Sequence, residues 1–232
     1  MISRERKKVV ISAGGTREAI DPVRFIGNHS SGRQGFALAD VAAQRGADVT
    51  LVAGAVDALP TPPGVTLRPI TSARDLSAAM AEEAEGADVV IMSAAVADFR
   101  PAAESDSKLK KGASDDALSR IELVENPDIL AETVRRRTVG KLDGDMIIVG
   151  FAAETGDASA TPLEHATAKL ARKGCDLLMC NDVSGGATFG AEDNVGWILD
   201  ADGSVDEVPH GSKHAVAARI LDAVARKVAA RG

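Results

Sequence analysis

Tyrosine is absent from this chain of 232 residues, and aromatic residues make up only 3% of it. The core therefore has to be built from alanine, valine, leucine and isoleucine. The same absence excludes the Tyr/Lys catalytic pair of short-chain dehydrogenases. Hydrophobic residues account for 45% of the chain, an ordinary share for a globular domain. The length is sufficient for one large domain with a real core.

Cysteine is also scarce, because only Cys175 and Cys180 occur. Neither their number nor their spacing indicates a zinc site or a disulfide framework, and both lie in or beside an apolar run. We predict two buried free thiols. No apolar run approaches the roughly 20 residues of a membrane span, and no signal peptide is evident at the charged N-terminus. We therefore expect a cytoplasmic protein without a membrane partner.

An excess of positive charge is missing as well. Lysine and arginine number 27 against 34 acidic residues, which gives a net charge of −7. This balance argues against a general nucleic-acid surface. An anionic substrate would need a pocket that is basic only locally.

Strand and helix patterns alternate from end to end. Apolar runs predict strands at 9–13, 48–53, 66–70, 88–95, 146–152 and 175–180, with helices at 35–45, 73–85, 162–173 and 212–230. Such an alternation predicts an α/β, Rossmann-like fold, in which helices cover both faces of a mostly parallel sheet. A β-hairpin is predicted near the end, at 195–199 and 205–208. We see no linker and predict one domain over 1–232.

The first strand breaks at a glycine-rich segment, Gly14-Gly15-Thr16. A second cluster, Asn28-His29-Ser30-Ser31-Gly32, opens the following helix. A strand, glycine loop and helix in succession aim backbone N–H groups at an anion. The Gly-x-Gly-x-x-Gly fingerprint and the Gly-Lys-Ser/Thr ending of a P-loop are both absent. We predict a phosphate site of a less common kind, with two surface turns as the alternative.

Three further segments are candidates for ligand contact. Ser93-Ala94-Ala95-Val96-Ala97-Asp98 ends a buried strand, where α/β sheets bind ligands, and Asp98 could hold ribose or a metal or form a turn. Asp128, within Asn126-Pro127-Asp128-Ile129, is placed to cap a helix. Lys169 and Lys173 share a helical stripe, which taken alone favours a solvated face.

Residues 100–120 are too polar to contribute to a core. They include Lys108, Lys110 and Lys111. Long loops of this kind are usually functional lids or disordered, so we predict a mobile lysine loop. The lysines could close over a polyphosphate, although a solvated charge run is the usual explanation of such a cluster.

Taken together, these segments resemble bacterial phosphopantothenoylcysteine synthetase. The matching motifs are GGTRE at 14–18, DPVRF at 21–25, NHSSG at 28–32, AAVAD at 94–98, KLKK at 108–111, NPDI at 126–129 and GFAAET at 150–155. They are collinear over nearly the whole chain, and jointly they are very specific. The resemblance implies a ligase of coenzyme A biosynthesis that joins 4′-phosphopantothenate to L-cysteine. It also implies CTP as the activating substrate, through an acyl-cytidylate, together with Mg²⁺.

The resemblance assigns roles to individual residues. Lys108 matches the catalytic lysine, and Asn28 matches the asparagine that contacts the acyl-cytidylate. The implied nucleotide-binding residues are Ser93, Ala94, Ala95, Asp98, Lys108, Asn126, Pro127, Asp128, Ile129, Phe151, Lys169 and Lys173. The implied substrate-binding residues are Gly14, Gly15, Thr16, Asn28, Ser30, Ser31 and Gly32. The metal ligands stay unknown, with Asp98 and Asp128 as candidates.

The resemblance further implies a homodimer and a flavin-dependent phosphopantothenoylcysteine decarboxylase as a fused or separate partner. Two rival functions share the expected fold. A nicotinamide-dependent reductase is disfavoured by the missing fingerprint. A non-catalytic module that binds CTP without turnover is distinguished only by experiment.

Overall fold

A computed structural model describes residues 6–56, 58–110, 120–157, 159–182 and 193–231. The elements within these residues are, in chain order, β1 Lys8–Ala13, β2 Arg17–Asp21, β3 Arg24–Gly27, α1 Arg33–Gln44, β4 Asp48–Ala53, β5 Val65–Pro69, α2 Ala73–Glu83, β6 Val89–Met92, β7 Phe99–Pro101, β8 Leu123–Glu125, α3 Ile129–Thr138, β9 Ile147–Glu154, α4 Pro162–Lys173, β10 Leu177–Asp182, β11 Asp193–Asp200, β12 Val205–Ser212 and α5 Lys213–Arg231.

The centre of the molecule is an eight-stranded sheet with the order β12-β11-β10-β9-β6-β1-β4-β5. Its six strands from β10 to β5 are parallel, and β11 and β12 extend it as an antiparallel hairpin. Ile11 in β1 is in register with Leu51 on one side and Ile91 on the other. All three are fully buried, which explains why the inner strands are continuous apolar runs.

Helices cover both faces of this sheet. On one face, α1 and α5 contribute residues such as Leu38 and Ile220 to the core. On the other face, α2, α3 and α4 pack residues such as Met80, Ile129 and Leu170 against the strands. The predicted Rossmann-like α/β fold with a terminal hairpin is confirmed.

Local sequence signals explain where the covering helices begin. Ser72 and Thr161 each form a capping box, in which the hydroxyl accepts the N–H three residues on and the acidic side chain at that position accepts in return. Gly174 ends α4 in the left-handed conformation, with a φ of 69°, which favours glycine.

Two small antiparallel ribbons were not predicted. β2 pairs with β3, and β7 pairs with β8. β7 and β8 have three residues each, too few to show an alternating pattern, and they pair across a long polar insertion. The start of the predicted lysine loop is therefore strand rather than loop at 100–101. Residues 111–119, which include Lys111, lie outside the described part of the chain.

One strand boundary differs from the prediction in a way that matters for the site. The strand expected over 88–95 ends at Met92, and the chain then leaves the sheet edge. The small residues that follow become loop rather than strand. None of the helices that the structure describes is long and apolar enough to cross a membrane.

Candidate active site

A cleft opens where the strand order reverses. After β1 the chain builds β4 and β5 on one side, and it then returns to place β6 on the other side of β1. A cavity of about 700 Å³ lies at the carboxyl ends of β1, β6 and β9. Open α/β sheets bind their ligands at this point, because the diverging crossovers leave a crevice there.

The glycine and hydroxyl cluster Asn28–Gly32 forms one wall of the cleft and leads into α1. Gly32 is the N-cap of α1, with a φ of 76°, and no side chain caps the helix there. The first N–H groups of a helix have no partner within it, and the helix dipole favours an anion beside them. Gly32 and the first turn of α1 line the cleft. This wall is therefore suited to phosphate.

A second glycine brings α1 close to the sheet. A Cβ atom on Gly35 would lie 2.4 Å from the Cβ of Ala13 and 2.8 Å from the Oγ of Ser93. Neither distance is compatible with ordinary packing, so only glycine permits this approach. The start of α1 is consequently held against the ends of β1 and β6.

The residues that follow β6 form the opposite wall. The Ser93 hydroxyl donates to the Ser12 carbonyl at 2.5 Å, and the Ala94 N–H donates to the Ser12 hydroxyl at 3.2 Å. The side-chain amide of Asn28 donates to the Val96 carbonyl at 3.1 Å. These hydrogen bonds connect the wall to β1 and to the Asn28–Gly32 cluster, and its small side chains leave room for a flat ring to lie against its backbone.

The first glycine segment, Gly14–Thr16, lies behind this wall and does not line the cleft. The N–H groups of Gly15 and Thr16 donate to the carbonyls of Ala55 and Ala95, at 2.9 and 3.2 Å. The Thr16 hydroxyl accepts from the Ala97 N–H at 3.0 Å. The polar groups of these residues serve the scaffold of the wall, and the substrate-binding role of Gly14, Gly15 and Thr16 stays a prediction.

The segment Asn126–Ile129 meets the same wall and begins α3. The Asn126 amide donates to the Ala97 carbonyl at 2.8 Å, and its backbone N–H donates to the Asp98 carbonyl at 2.8 Å. Asp128 caps α3 by accepting from the Ala131 N–H at 3.1 Å. Asp98, Asn126, Pro127, Asp128 and Ile129 all line the cleft, so the predicted nucleotide segments are brought together.

Two lysines of α4 point into the cleft beside Phe151. Lys169 Nζ lies 2.8 Å from Glu154 Oε1, and Lys173 pairs with Asp128. Burial raises the pKa of Asp128, but the hydrogen bond from Lys173 and the Ala131 N–H outweigh it and hold this pKa below its ordinary value. The lysines are therefore cationic groups of the cleft, not a solvated face.

Lys108 is exposed and is not among the residues that line the cleft. Of the two metal candidates, Asp128 already has both carboxylate oxygens engaged, while Asp98 is exposed at the cleft. Among the described residues, no group of three or more His, Cys, Asp or Glu side chains is arranged to hold a metal ion.

The cleft also contains polar residues that sequence reasoning missed, namely Arg33, Gln34, Asn181 and Lys213. Arg33 directly follows the NHSSG motif, and Asn181 follows a predicted strand at its carboxyl end. Both signals were available from the sequence. No sequence signal indicates Lys213. It lies at the cleft because the Gln34 side-chain amide donates to the Lys213 carbonyl at 3.0 Å, a contact between distant parts of the chain.

Comparison with known proteins identifies the family of this chain. The family model of the DNA/pantothenate metabolism flavoprotein C-terminal domain matches residues 4–228. The chain belongs to this family. The coenzyme A biosynthesis bifunctional protein CoaBC of Mycobacterium tuberculosis is 54% identical over 218 residues, which cover 94% of this chain and 52% of the relative. The CoaBC protein of Bacillus subtilis is 45% identical over 224 residues, 95% of this chain and 52% of the relative. The chain thus spans about half the length of the curated relatives it matches.

Solved structures of this family share the fold. The crystal structure of the C-terminal domain of a coenzyme A biosynthesis bifunctional protein CoaBC superposes with a TM-score of 0.74 at 37% identity, covering 94% of this chain and 93% of that one. The DNA/pantothenate metabolism flavoprotein from Streptococcus pneumoniae superposes with a TM-score of 0.76 at 24% identity, covering 95% and 99%. The resemblance stated from the motifs is confirmed at the level of the family.

Proposed function

We propose that this chain is a phosphopantothenate–cysteine ligase of coenzyme A biosynthesis that uses CTP. One observation carries the proposal. In a chain of this family, a single cleft at the switch point of the sheet collects a helix N-terminus, a wall of small residues and two lysines. That combination suits a nucleoside triphosphate next to a second, phosphorylated substrate.

The reaction has two steps. The carboxylate of 4′-phosphopantothenate attacks the α-phosphate of CTP, so that an acyl-cytidylate forms and pyrophosphate leaves. The amine of L-cysteine then attacks the acyl carbon and displaces CMP, giving 4′-phosphopantothenoyl-L-cysteine. Negative charge develops on phosphoryl or carbonyl oxygens in both steps. Fixed cationic and N–H donors are therefore the groups that accelerate them most.

Asn28, Lys108, Lys169 and Lys173 supply such donors. Asn28 is a neutral donor at the junction of both walls, where it serves the acyl oxygen of the intermediate. Lys169 and Lys173 neutralise the triphosphate after exchanging their carboxylate partners for phosphate oxygens. Lys108 reaches the reacting phosphoryl group from the lysine loop, which continues after β7.

The cytidine lies against Ser93, Ala94 and Ala95, with Phe151 and the segment 126–129 completing its surroundings. Ser30, Ser31 and Gly32 meet a phosphate at the N-terminus of α1. Mg²⁺ would be held between the triphosphate and a carboxylate of the cleft. Mg²⁺ is commonly held by one or two carboxylates together with substrate phosphates, and Asp98 is the carboxylate that fits this need. When bound, the ion neutralises charge on the phosphates.

The reductase alternative fits the geometry less well. In a dinucleotide-binding fold the glycine turn after the first strand leads directly into a helix whose N-terminus holds the pyrophosphate. Here the hairpin β2–β3 stands between β1 and α1, and the N–H groups of Gly15 and Thr16 are already engaged.

We also propose that the protein is a cytoplasmic homodimer that works with a flavin-dependent phosphopantothenoylcysteine decarboxylase, fused or separate. The two ribbons expose four large apolar residues, Val23, Phe25, Phe99 and Leu123, by 60, 50, 46 and 45%. The ribbons contact each other through β2 and β7, and exposed apolar side chains on adjoining elements are typical of an interface between subunits.

The first experiment combines the protein with 4′-phosphopantothenate, L-cysteine, magnesium and either CTP or ATP, and measures pyrophosphate and nucleoside monophosphate. Release that depends on CTP and on both other substrates supports the ligase and its nucleotide. Pyrophosphate without cysteine, at about one equivalent per site, isolates the first step. No release from a folded dimer would overturn the proposal.

The Lys108→Ala variant distinguishes a ligase from a module that binds CTP without turnover. For a ligase, turnover should fall by about a hundredfold or more, since removal of one fixed donor to a developing oxyanion costs that much. A module would lose CTP affinity at most. Lys141→Ala, which removes an exposed lysine outside the cleft lining, is the matched control.

A further inference from the structure

The tip of the hairpin β2–β3 is organised by one carboxylate. The side chain of Asp21 is fully buried, and its Oδ1 accepts the N–H groups of Val23 and Arg24, both at 2.9 Å. Its Oδ2 accepts from the Arg24 guanidinium, with Nε at 3.0 Å. A turn closed in this way is stiff, because every donor meets a charged acceptor.

The same carboxylate also reaches a distant part of the chain. Oδ2 of Asp21 accepts the backbone N–H of Leu109 at 3.1 Å, across 88 residues of sequence. The Arg24 guanidinium returns a hydrogen bond to the Leu109 carbonyl at 2.9 Å, and the Ser105 N–H donates to the Ile20 carbonyl at 3.0 Å. Both backbone polar groups of Leu109 are thus held by one Asp–Arg pair.

Leu109 directly follows Lys108, so the two Cα atoms lie about 3.8 Å apart across their peptide bond. Restraint of the Leu109 backbone restrains the position from which the Lys108 side chain extends. The Lys108 ammonium is exposed and is not itself part of the cleft lining, so its path to the cleft depends on where this backbone is held.

We propose that Asp21 is a positioning residue for Lys108, acting through the Leu109 backbone and assisted by Arg24. This inference rests on the proposed function, because it assigns Asp21 to the same ligase reaction. Asp21 makes no contact with substrate. Its contribution is to order the segment 105–109 before the substrates bind, so that less conformational freedom is lost when the lysine reaches the phosphoryl group.

The contact between the Asp21 carboxylate and the Leu109 backbone, here called the anchor, requires that Asp21 is ionised. The hydrogen bond from Arg24 is the largest influence on the Asp21 carboxyl, and the N–H groups of Val23, Leu109 and Arg24 act in the same direction against the opposing effect of burial. Together they hold the pKa of Asp21 well below its usual range. Asp21 therefore stays ionised at neutral pH.

A purely structural role is the alternative. In that case Asp21 closes the hairpin turn, and its loss weakens the protein without regard to Lys108. Asp21→Asn separates the two roles, because Asn Oδ1 still accepts the turn N–H groups, whereas its NH₂ group can accept neither from Leu109 nor from the Arg24 guanidinium, which itself contacts the Leu109 carbonyl. Glu18→Gln is the matched control. Glu18 is a buried carboxylate of the same strand, but it accepts the N–H of Ala73 at 2.9 Å.

The test measures kcat, the Kd of CTP and the rate of tryptic cleavage after Lys108 in folded protein. For Asp21→Asn we expect kcat to fall by about 10- to 100-fold, as misplacement of a reacting group does, with a smaller change in Kd. Cleavage after Lys108 should accelerate. In a Lys108→Ala background the same change should lower kcat little further. Glu18→Gln should leave both kcat and cleavage after Lys108 near wild type.

Several results would overturn the inference. They are wild-type kcat in Asp21→Asn, unchanged cleavage after Lys108, and an equal loss of kcat with and without Lys108. If Asp21→Asn does not fold, Arg24→Met removes the second contact to Leu109 and takes its place under the same criteria. Failure of the proposed function is distinguishable, because the wild type would then show no CTP-dependent turnover, while the protease measurement would still report on the anchor.

Discussion

The side-chain amide of Asn28 donates to the backbone carbonyl of Val96 at 3.1 Å and so joins the two walls of the cleft. Asn28→Asp replaces this donor with a carboxylate that faces a carbonyl. We expect the second half-reaction to suffer more than the first, because a carboxylate repels the oxyanion that forms when cysteine attacks the acyl carbon. Pyrophosphate release without cysteine reports the first step, and CMP release after cysteine addition reports the second. Equal losses in both steps would show that Asn28 does not contact the acyl oxygen.

Lys169 is held by Glu154 in the cleft, with Nζ and Oε1 2.8 Å apart. Glu154→Gln frees this ammonium for phosphate, so CTP should bind severalfold more tightly at low ionic strength, and the gain should shrink in high salt because ions screen the freed charge. Calorimetric titration at two salt concentrations measures the effect. Glu132→Gln is the control, since Glu132 pairs with Arg135 away from the cleft. Weaker binding in Glu154→Gln would mean that this carboxylate helps to hold the nucleotide.

Gly35 allows α1 to approach the ends of β1 and β6. Gly35→Ala places a Cβ 2.4 Å from that of Ala13 and 2.8 Å from the Ser93 hydroxyl. We expect a loss of about 1–3 kcal/mol in the free energy of unfolding, as for other overpacked cores, together with weaker CTP binding. Urea denaturation and calorimetry measure the two effects. Gly144→Ala has no atom within 4 Å of the new methyl group and should be nearly neutral.

Asp176 connects α5 to the central sheet through ion pairs and a hydrogen bond. Its carboxylate lies 2.5 Å from both Arg137 and Arg231, and it also accepts the Ile148 N–H at 2.7 Å. Asp176→Asn leaves two arginines without their counter-charge, and we expect a loss of about 3 kcal/mol in unfolding free energy. Asp206→Asn breaks only the exposed pair with Arg226 and should cost about 0–1 kcal/mol. Similar denaturation midpoints for the two variants would contradict the stabilising role of Asp176.

Cys175 is predicted to be chemically inert in the native protein. Burial raises the pKa of its thiol to about 11 from an ordinary value of 9.0. The thiolate is the reactive form, so Cys175 should not react with a thiol reagent at neutral pH until the protein unfolds. Because the folded-state pKa is the higher one, the associated stability is complete below pH 9 and is lost as the pH rises towards 11. Rapid native labelling of Cys175 would show that the site opens.

Much of the fold could be predicted from the local pattern of apolar residues and helix caps. Strands such as β1 and β4 are mostly apolar because both faces of the sheet are covered, and the sequence around α4 contains its capping box and terminal glycine. The motifs also identified most of the residues that meet in the cleft. The short ribbons escaped prediction, because three paired residues carry no periodicity and their pairing is decided by tertiary contact.

The α/β class, the succession of strand-forming runs along the chain and the family could all be inferred from the sequence. The partners of individual polar groups, in contrast, were set by the three-dimensional fold. In the fold, the N–H groups of Gly15 and Thr16 bond to the carbonyls of Ala55 and Ala95 behind the cleft wall, and the Asp21 carboxylate accepts the Leu109 N–H. The physical reason is that apolar periodicity is a local property of the chain. The partner of a donor or a charge is set by which distant segments the fold brings within about 3 Å.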